Sequence, residues 1–130
     1  MPKILIIDDS AVMRKIILRN IQKSGLLVDE FVEAGDGKEG LEKATANNVD
    51  LILYDWDMPN LMEWGISGVD FVKAVRDLGQ KRNIPVIVVT TKGDKAKIEE
   101  VKKSGANSYL TKPFTLDQLR LKLDKFLKVK

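Results

Sequence analysis

The sequence predicts an α/β fold in which a mostly parallel five-stranded sheet is covered by helices on both faces. Three observations carry this. Short apolar runs and helical apolar stripes alternate five times along 130 residues, the signature of β-α units wound into one sheet through right-handed crossovers. The runs Lys3–Ile7, Asp50–Tyr54 and Ile84–Val89 are nearly continuous in apolar residues, as expected of strands buried on both faces. The first and third strands also stop abruptly at carboxylates, Asp8-Asp9 and Asp55-Trp56-Asp57.

Each element follows from its local chemistry. Lys3 to Ile7 is a buried strand closed by Asp8-Asp9, and Ser10 is the candidate cap of the first helix. Val12, Met13, Ile16, Ile17 and Ile21 then recur at helical spacing until Gly25 stops the helix. Leu27 to Val32 reads as a second strand with a weaker burial pattern. Asp36-Gly37-Lys38-Glu39 has the cap-to-acid spacing of a helix start, with Leu41 and Ala44 as a thin apolar face. Asp50 to Tyr54 forms the third strand. Pro59 cannot donate to a ladder, so the strand is over before it, and Asp55 lies at or just past the strand's C-terminal end.

Residues 56 to 66 are expected to form a long loop. Ser67-Gly68-Val69-Asp70 then caps a helix whose apolar face is Phe71, Val72, Val75 and Leu78, ending near Gly79. Ile84 to Val89 is β-branched and strand-like. Asp94 opens a polar helix to Ser104, with Ile98 and Val101 facing in and Gly105 at its end. Asn107 to Leu110 is a short strand. Thr115-Leu116-Asp117-Gln118 is a capping box for a last helix carried by Leu119, Leu123, Phe126 and Leu127.

Composition narrows the chemistry. The chain is expected to be a single domain over residues 1–130, with no output domain after its last helix. Apolar residues at 44% and charged residues at 32% fit a soluble globular protein. There is no cysteine, which excludes disulfides and thiolate metal sites, and no histidine, which excludes Ser-His or Cys-His catalysis and imidazole ligation. The net charge of +3 is too mild to argue for nucleic-acid binding. With no signal peptide and no apolar run of membrane-spanning length, a cytoplasmic protein is expected.

The strand ends converge on one chemistry. A parallel sheet brings Asp8 and Asp9, Asp55 and Asp57, Thr90 and Thr91, and Lys112-Pro113 to one edge, where ligands of open α/β sheets bind. Taken singly, each is a cap, a turn or a β-former. Together, carboxylates in one cleft repel unless a cation sits among them, and oxygen-only ligands select a hard ion such as Mg²⁺. An added lysine and threonine suit phosphoryl oxygens. The reading is a metal-assisted phosphoryl site in which a carboxylate can itself be the nucleophile. Neither G-x-x-x-x-G-K-S/T nor G-x-G-x-x-G is present, so the phosphoryl donor is not expected to be a nucleotide bound by this chain.

Asp8-Asp9-Ser10, Ala34-x-Asp36-Gly37, Asp55-Trp56-Asp57-Met58-Pro59-Asn60, Thr90 and Lys112-Pro113-Phe114 fall in an order and spacing that resemble the receiver domains of two-component response regulators, most closely the single-domain chemotaxis (CheY) type. The likeness spans essentially the whole chain. It implies a flavodoxin-like (βα)5 fold of strand order 2-1-3-4-5. It also implies that Asp55 accepts a phosphoryl group from a histidine of a CheA-like sensor histidine kinase. Asp9 and Asp55, with the backbone carbonyl of Asp57, would ligate Mg²⁺ directly and Asp8 through a bound water. Lys112 would pair with phosphoryl oxygens, next to a cis bond to Pro113. Thr90 and Tyr109 would move on phosphorylation, reshaping the face of the fourth helix, fifth strand and fifth helix for a flagellar motor switch protein. A monomer without nucleic-acid or membrane contact is implied, and the lack of histidine fits a phosphoryl receiver. No activity is expected beyond self-phosphorylation and autodephosphorylation.

Three departures from the family stand out. The loop at residues 60–67 is about five residues longer than the family's and apolar, so it is either a tolerated insertion or a partner contact anchored by Trp64. Thr91 stands where the family often has a smaller Ala, and either crowds the phosphoryl site and slows access or is simply accommodated. Asp57 and Lys92, opposite in charge, occupy the positions that tune phosphoryl lifetime and are expected to pair and slow hydrolysis. The lysines of the last two helices are read as solvated faces, some able to attract an acidic partner. Within the family, a receiver serving another pathway, including one detached from a DNA-binding domain, is the alternative. Outside it, a metal-dependent phosphatase-like hydrolase would lack room for a cap domain, and a flavin carrier would place its phosphate among carboxylates.

Overall fold

The computed structural model describes residues 3–26, 28–56, 68–78, 83–91, 95–112 and 114–126. Five strands and five helices alternate: β1 (Lys3–Ile7), α1 (Ala11–Lys23), β2 (Glu30–Ala34), α2 (Gly37–Ala46), β3 (Leu51–Asp55), α3 (Gly68–Arg76), β4 (Val86–Thr91), α4 (Lys95–Ser104), β5 (Ser108–Lys112) and α5 (Leu116–Asp124). All strand pairs are parallel and the order is β2-β1-β3-β4-β5. Loop residues 57–67, with Asp57 and Trp64, lie outside the described residues, as do Lys92 and Pro113.

The sheet divides the core by the two-residue period of its strands. Leu5, Ile7, Ile52, Tyr54, Val86 and Val88 point toward α2, α3 and α4, where Ala44, Phe71, Val72, Val75 and Val101 meet them. Ile4, Ile6, Leu51, Leu53, Ile87 and Leu110 point the other way, onto Ile17 and Ile21 of α1 and Leu119 and Leu123 of α5. Layers on both faces explain why the central strands carry no polar alternation. Gly40 lets α2 sit close to β1: a Cβ there would lie 2.9 Å from Ile7 Cγ1 and nearer still to its Cδ1.

The helix starts agree with the caps read in the sequence. Ser10 Oγ accepts the Met13 amide, and Thr115 and Gln118 complete a reciprocal capping box. Asp36 Oδ1 accepts the Glu39 amide at 2.7 Å, but the Glu39 side chain reaches past the cap to the Gly35 amide at 2.6 Å. Gly25 and Gly105 close α1 and α4 at φ 86° and 99°, a left-handed conformation that favours glycine. The expected cap at Ser67 lies outside the described residues.

Several expectations shift. The second strand runs from Glu30 to Ala34 rather than from Leu27 to Val32, because its register is dictated by pairing with Lys3–Ile7 of β1. The fourth begins at Val86 rather than Ile84: Pro85 has no amide to donate, although its carbonyl accepts from Ile52. The fifth extends to Lys112 rather than stopping at Leu110. Val12 and Ile16 share the helical spacing of the core residues, yet they are 70% and 45% exposed, since of that stripe Ile17 and Ile21 are buried against the sheet and Met13 packs there half-buried.

Candidate functional site

Strand order sets the site. β1 and β3 are neighbours, with Ile7 opposite Tyr54, so Asp8 and Asp55 arrive level with each other one residue later. The chain leaves β1 toward edge strand β2 and leaves β3 in the opposite direction toward β4. The loops diverge there, opening a crevice at the carboxyl ends of the strands.

Each side chain is delivered by a specific backbone device. The Asp8 amide extends the β1–β2 ladder by donating to Ala34 O at 3.1 Å, and Asp8 Oδ1 accepts the Ser10 amide at 2.9 Å. Ser10 is also the cap of α1, so the start of that helix and the orientation of Asp8 are one arrangement. Asp55 ends β3, and the Trp56 amide after it donates to Val89 O of β4 at 2.8 Å. Beneath Asp55, Tyr54 stacks on Phe71 with ring centroids 4.4 Å apart, which holds the end of the strand against α3. The Trp56 indole donates to Glu100 of α4 at 3.1 Å.

The carboxylates of Asp8, Asp9 and Asp55 offer oxygens that all lie within 4.8 Å of one another. Asp8 and Asp55 are 3% and 6% exposed, while Asp9 faces solvent. Lys112, 57 residues further on, brings its ammonium to 3.1 Å from Asp55 Oδ1. Burial pushes the Asp8 carboxyl up to about 6; the Ser10 amide pulls it back, the charge of Asp55 raises it again and Lys112 lowers it. Three carboxylates therefore share one nearby ammonium among the described residues. Carboxylates this close repel one another, and oxygen-only donors at this spacing fit a hard divalent cation. The donor chemistry thus fits Mg²⁺, with Asp8, Asp9 and Asp55 as the residues that would hold it. The Asp57 carbonyl, the other expected ligand, lies outside the described residues.

The remaining expected residues are found as follows. Thr90 is fully buried in β4, one residue beyond Val89, which pairs with Asp55. Thr91 ends β4 opposite Lys112. Tyr109 lies on β5, half-buried, with the ammonium groups of Lys122 and Lys102 at 5.3 and 5.9 Å from its ring centroid. It lines a surface cleft of about 410 Å³ shared with Leu121, Lys122 and Lys125 of the α5 segment. Pro113 lies outside the described residues. Sequence reasoning does not single out Arg14 or Glu33, which brace the turn bearing Asp8. Their only sequence signal is opposite charge at two positions 19 residues apart, and nothing local pairs them.

The family model of the response regulator receiver domain matches residues 4–124. The chain is 38% identical over 123 residues to chemotaxis protein CheY1 of Helicobacter pylori, covering 94% of each. Crystalline chemotaxis protein CheY4 of Vibrio cholerae superposes with a TM-score of 0.82 at 35% identity, covering 98% of this chain and 99% of that one. The receiver domain of a sensor histidine kinase from Pseudomonas aeruginosa, solved with a magnesium ion coordinated in its active site cleft, superposes with a TM-score of 0.81 over 98% of each chain. At 24% identity that last likeness speaks to the fold alone. Among the described residues, no helix is long and apolar enough to cross a membrane.

Proposed function

Because this chain belongs to the response regulator receiver domain family, we propose that it is a phosphorylation-controlled binding switch in which Asp55 accepts a phosphoryl group from a histidine of a partner sensor kinase. The observation that carries the reading is the Lys112 ammonium 3.1 Å from an almost fully buried Asp55, beside the Asp8 and Asp9 carboxylates. An Asp55 oxygen attacks phosphorus in line with the P–N bond of phosphohistidine. The O–P bond forms as the N–P bond breaks, and the imidazole keeps the electron pair and takes up a proton. Hydrolysis later returns the carboxylate and inorganic phosphate.

The surrounding residues divide this work. Lys112 already pairs with the charge on Asp55 and can follow it onto the phosphoryl oxygens. Thr90, the last but one residue of the neighbouring strand, would offer a hydroxyl to the same oxygens. Asp8, Asp9 and Asp55 would hold Mg²⁺, which would neutralise charge that otherwise accumulates between carboxylates and phosphoryl oxygens. Burial of Asp8 and Asp55 excludes water from part of the site. No substrate other than the protein's own phosphoryl group is turned over.

Output follows from the β5 edge. Lys112 and Tyr109 share β5, so a change at Asp55 reaches Tyr109 and the face of α4, β5 and α5 through one strand. Its relatives include chemotaxis protein CheY1; a motor switch protein is the partner that the resemblance to chemotaxis receivers implies, and the protein works as a monomer in the cytoplasm.

The test is intact mass after incubation with acetyl phosphate and Mg²⁺, on the native chain and on Asp55→Asn. One added phosphoryl group that needs Mg²⁺ and is lost in the variant is expected. An adduct retained by Asp55→Asn, or no adduct together with no response of Trp56 fluorescence to beryllofluoride, overturns the reading.

A further inference from the structure

We infer that Arg14 is a positioning residue for the acidic pair: its guanidinium ties the backbone of Asp8 to Glu33 on the edge strand and thereby sets where Asp8 and Asp9 present their carboxylates. The inference rests on the reading of the Asp8, Asp9 and Asp55 cluster as a cation and phosphoryl site.

Both backbone groups of Asp8 are held from outside its own strand. Its amide donates to Ala34 O of β2, and its carbonyl accepts Arg14 Nη1 at 2.6 Å. The same guanidinium turns its Nε to Glu33 Oε1 at 3.1 Å. Glu33 is itself held from two further helical positions: Lys15 Nζ meets its Oε2 at 2.6 Å, and Lys43 Nζ of α2 meets its carbonyl at 2.6 Å. Arg14 and Glu33 side chains are 18% and 24% exposed, too enclosed for an ordinary solvated surface pair.

The geometry calls for arginine. A planar fork of five donors can bond a carbonyl and a carboxylate in different directions at once, whereas a lysine ammonium on a flexible stem cannot keep both in register. Asp8 and Asp9 follow each other directly, so rotation of the peptide between them moves both carboxylates. The Asp8 carbonyl that Arg14 grips belongs to that peptide. Groups that orient ligating side chains without touching the metal change its affinity by about 10–100-fold.

The test is calorimetric titration with Mg²⁺ alone, alongside phosphorylation rates at varied acetyl phosphate, on the full chain. Variants are Arg14→Ala, Arg14→Lys, Glu33→Gln and Lys15→Ala. Lys15→Ala is the discriminating control, because Lys15 shares Glu33 but makes no hydrogen bond or ion pair with Asp8. Arg14→Ala and Arg14→Lys are expected to weaken Mg²⁺ binding about 10-fold, with Arg14→Lys keeping the thermal midpoint of the native chain. Glu33→Gln weakens binding less, and adding it to Arg14→Ala brings no further loss, since both act through one bridge. Lys15→Ala leaves Mg²⁺ affinity unchanged. Native Mg²⁺ affinity in Arg14→Lys, or an equal loss in Lys15→Ala, overturns the positioning role and leaves the functional reading standing. If Arg14→Ala does not fold, Arg14→Lys and Glu33→Gln decide the matter in the same way. A native chain that neither binds Mg²⁺ nor forms the adduct overturns the functional reading and this inference with it.

Discussion

Replacing Asp8 with asparagine should make the metal-free protein more stable while disabling its cation site. Asp8 is 3% exposed, and burial, with the nearby Asp55 charge, lifts its carboxyl from 3.8 to about 6. Two units at about 1.4 kcal/mol each set a ceiling of about 3 kcal/mol on the cost of keeping it ionised at neutral pH. Asparagine is nearly isosteric and keeps an oxygen for the Ser10 amide, so a gain of about 1–3 kcal/mol is expected, or roughly 3–12 °C in Tm for a domain of this size. The pH dependence has a definite sign. The carboxyl is raised in the folded state, so the folded protein binds more protons than the unfolded chain between the two values. Stability of the native protein is therefore lost as pH rises from about 4 through about 6, and the advantage of Asp8→Asn opens over that window and is level above about 7. Urea denaturation in a chelator, repeated across pH, measures the difference. Saturating Mg²⁺ should stabilise the native chain by mass action and close the gap, with little effect on the variant. A variant less stable than the native chain at neutral pH without metal, or a difference that does not change with pH, would refute the electrostatic account of the site.

Two further substitutions probe the same framework. Lys112→Ala removes the ammonium beside Asp55 and should cost about 2–3 kcal/mol in chelator, most of it recovered when Asp55→Asn is added; a double variant no more stable than Lys112→Ala would show that Lys112 acts by packing rather than charge. Gly40→Ala should destabilise by about 1–3 kcal/mol despite better helix propensity, because the new methyl meets Ile7, and Ile7→Val in that background should recover part of the loss; urea midpoints measure both.

Element identity and order were legible in the sequence because they depend on local chemistry. Apolar runs of strand length, the caps at Ser10, Asp36 and Thr115, and the stops at Gly25 and Gly105 involve residues within a few positions of one another. The carboxylates at the ends of the first and third strands were legible too, and with them the oxygen donors of the candidate site. Distances and environments were not. Asp8 and Asp9 are adjacent and identical in type, yet one is buried and the other exposed, because only Asp8 extends the ladder to Ala34. Lys112 reaches Asp55 across 57 residues, through the adjacency of β3, β4 and β5 that hydrophobic patterning does not encode. Val12 and Ile16 match the helical period of Ile17 and Ile21 and still face solvent, since period defines a stripe and the sheet decides how much of it is covered. The Arg14–Glu33 brace has no local signal at all: it exists because parallel pairing sets Ala34 beside Ile7 and so brings the turn after β1 under the edge strand. Local sequence thus determined what the elements are and what chemistry they carry, while long-range pairing alone decided which charges are buried, which are partnered and how far apart they stand.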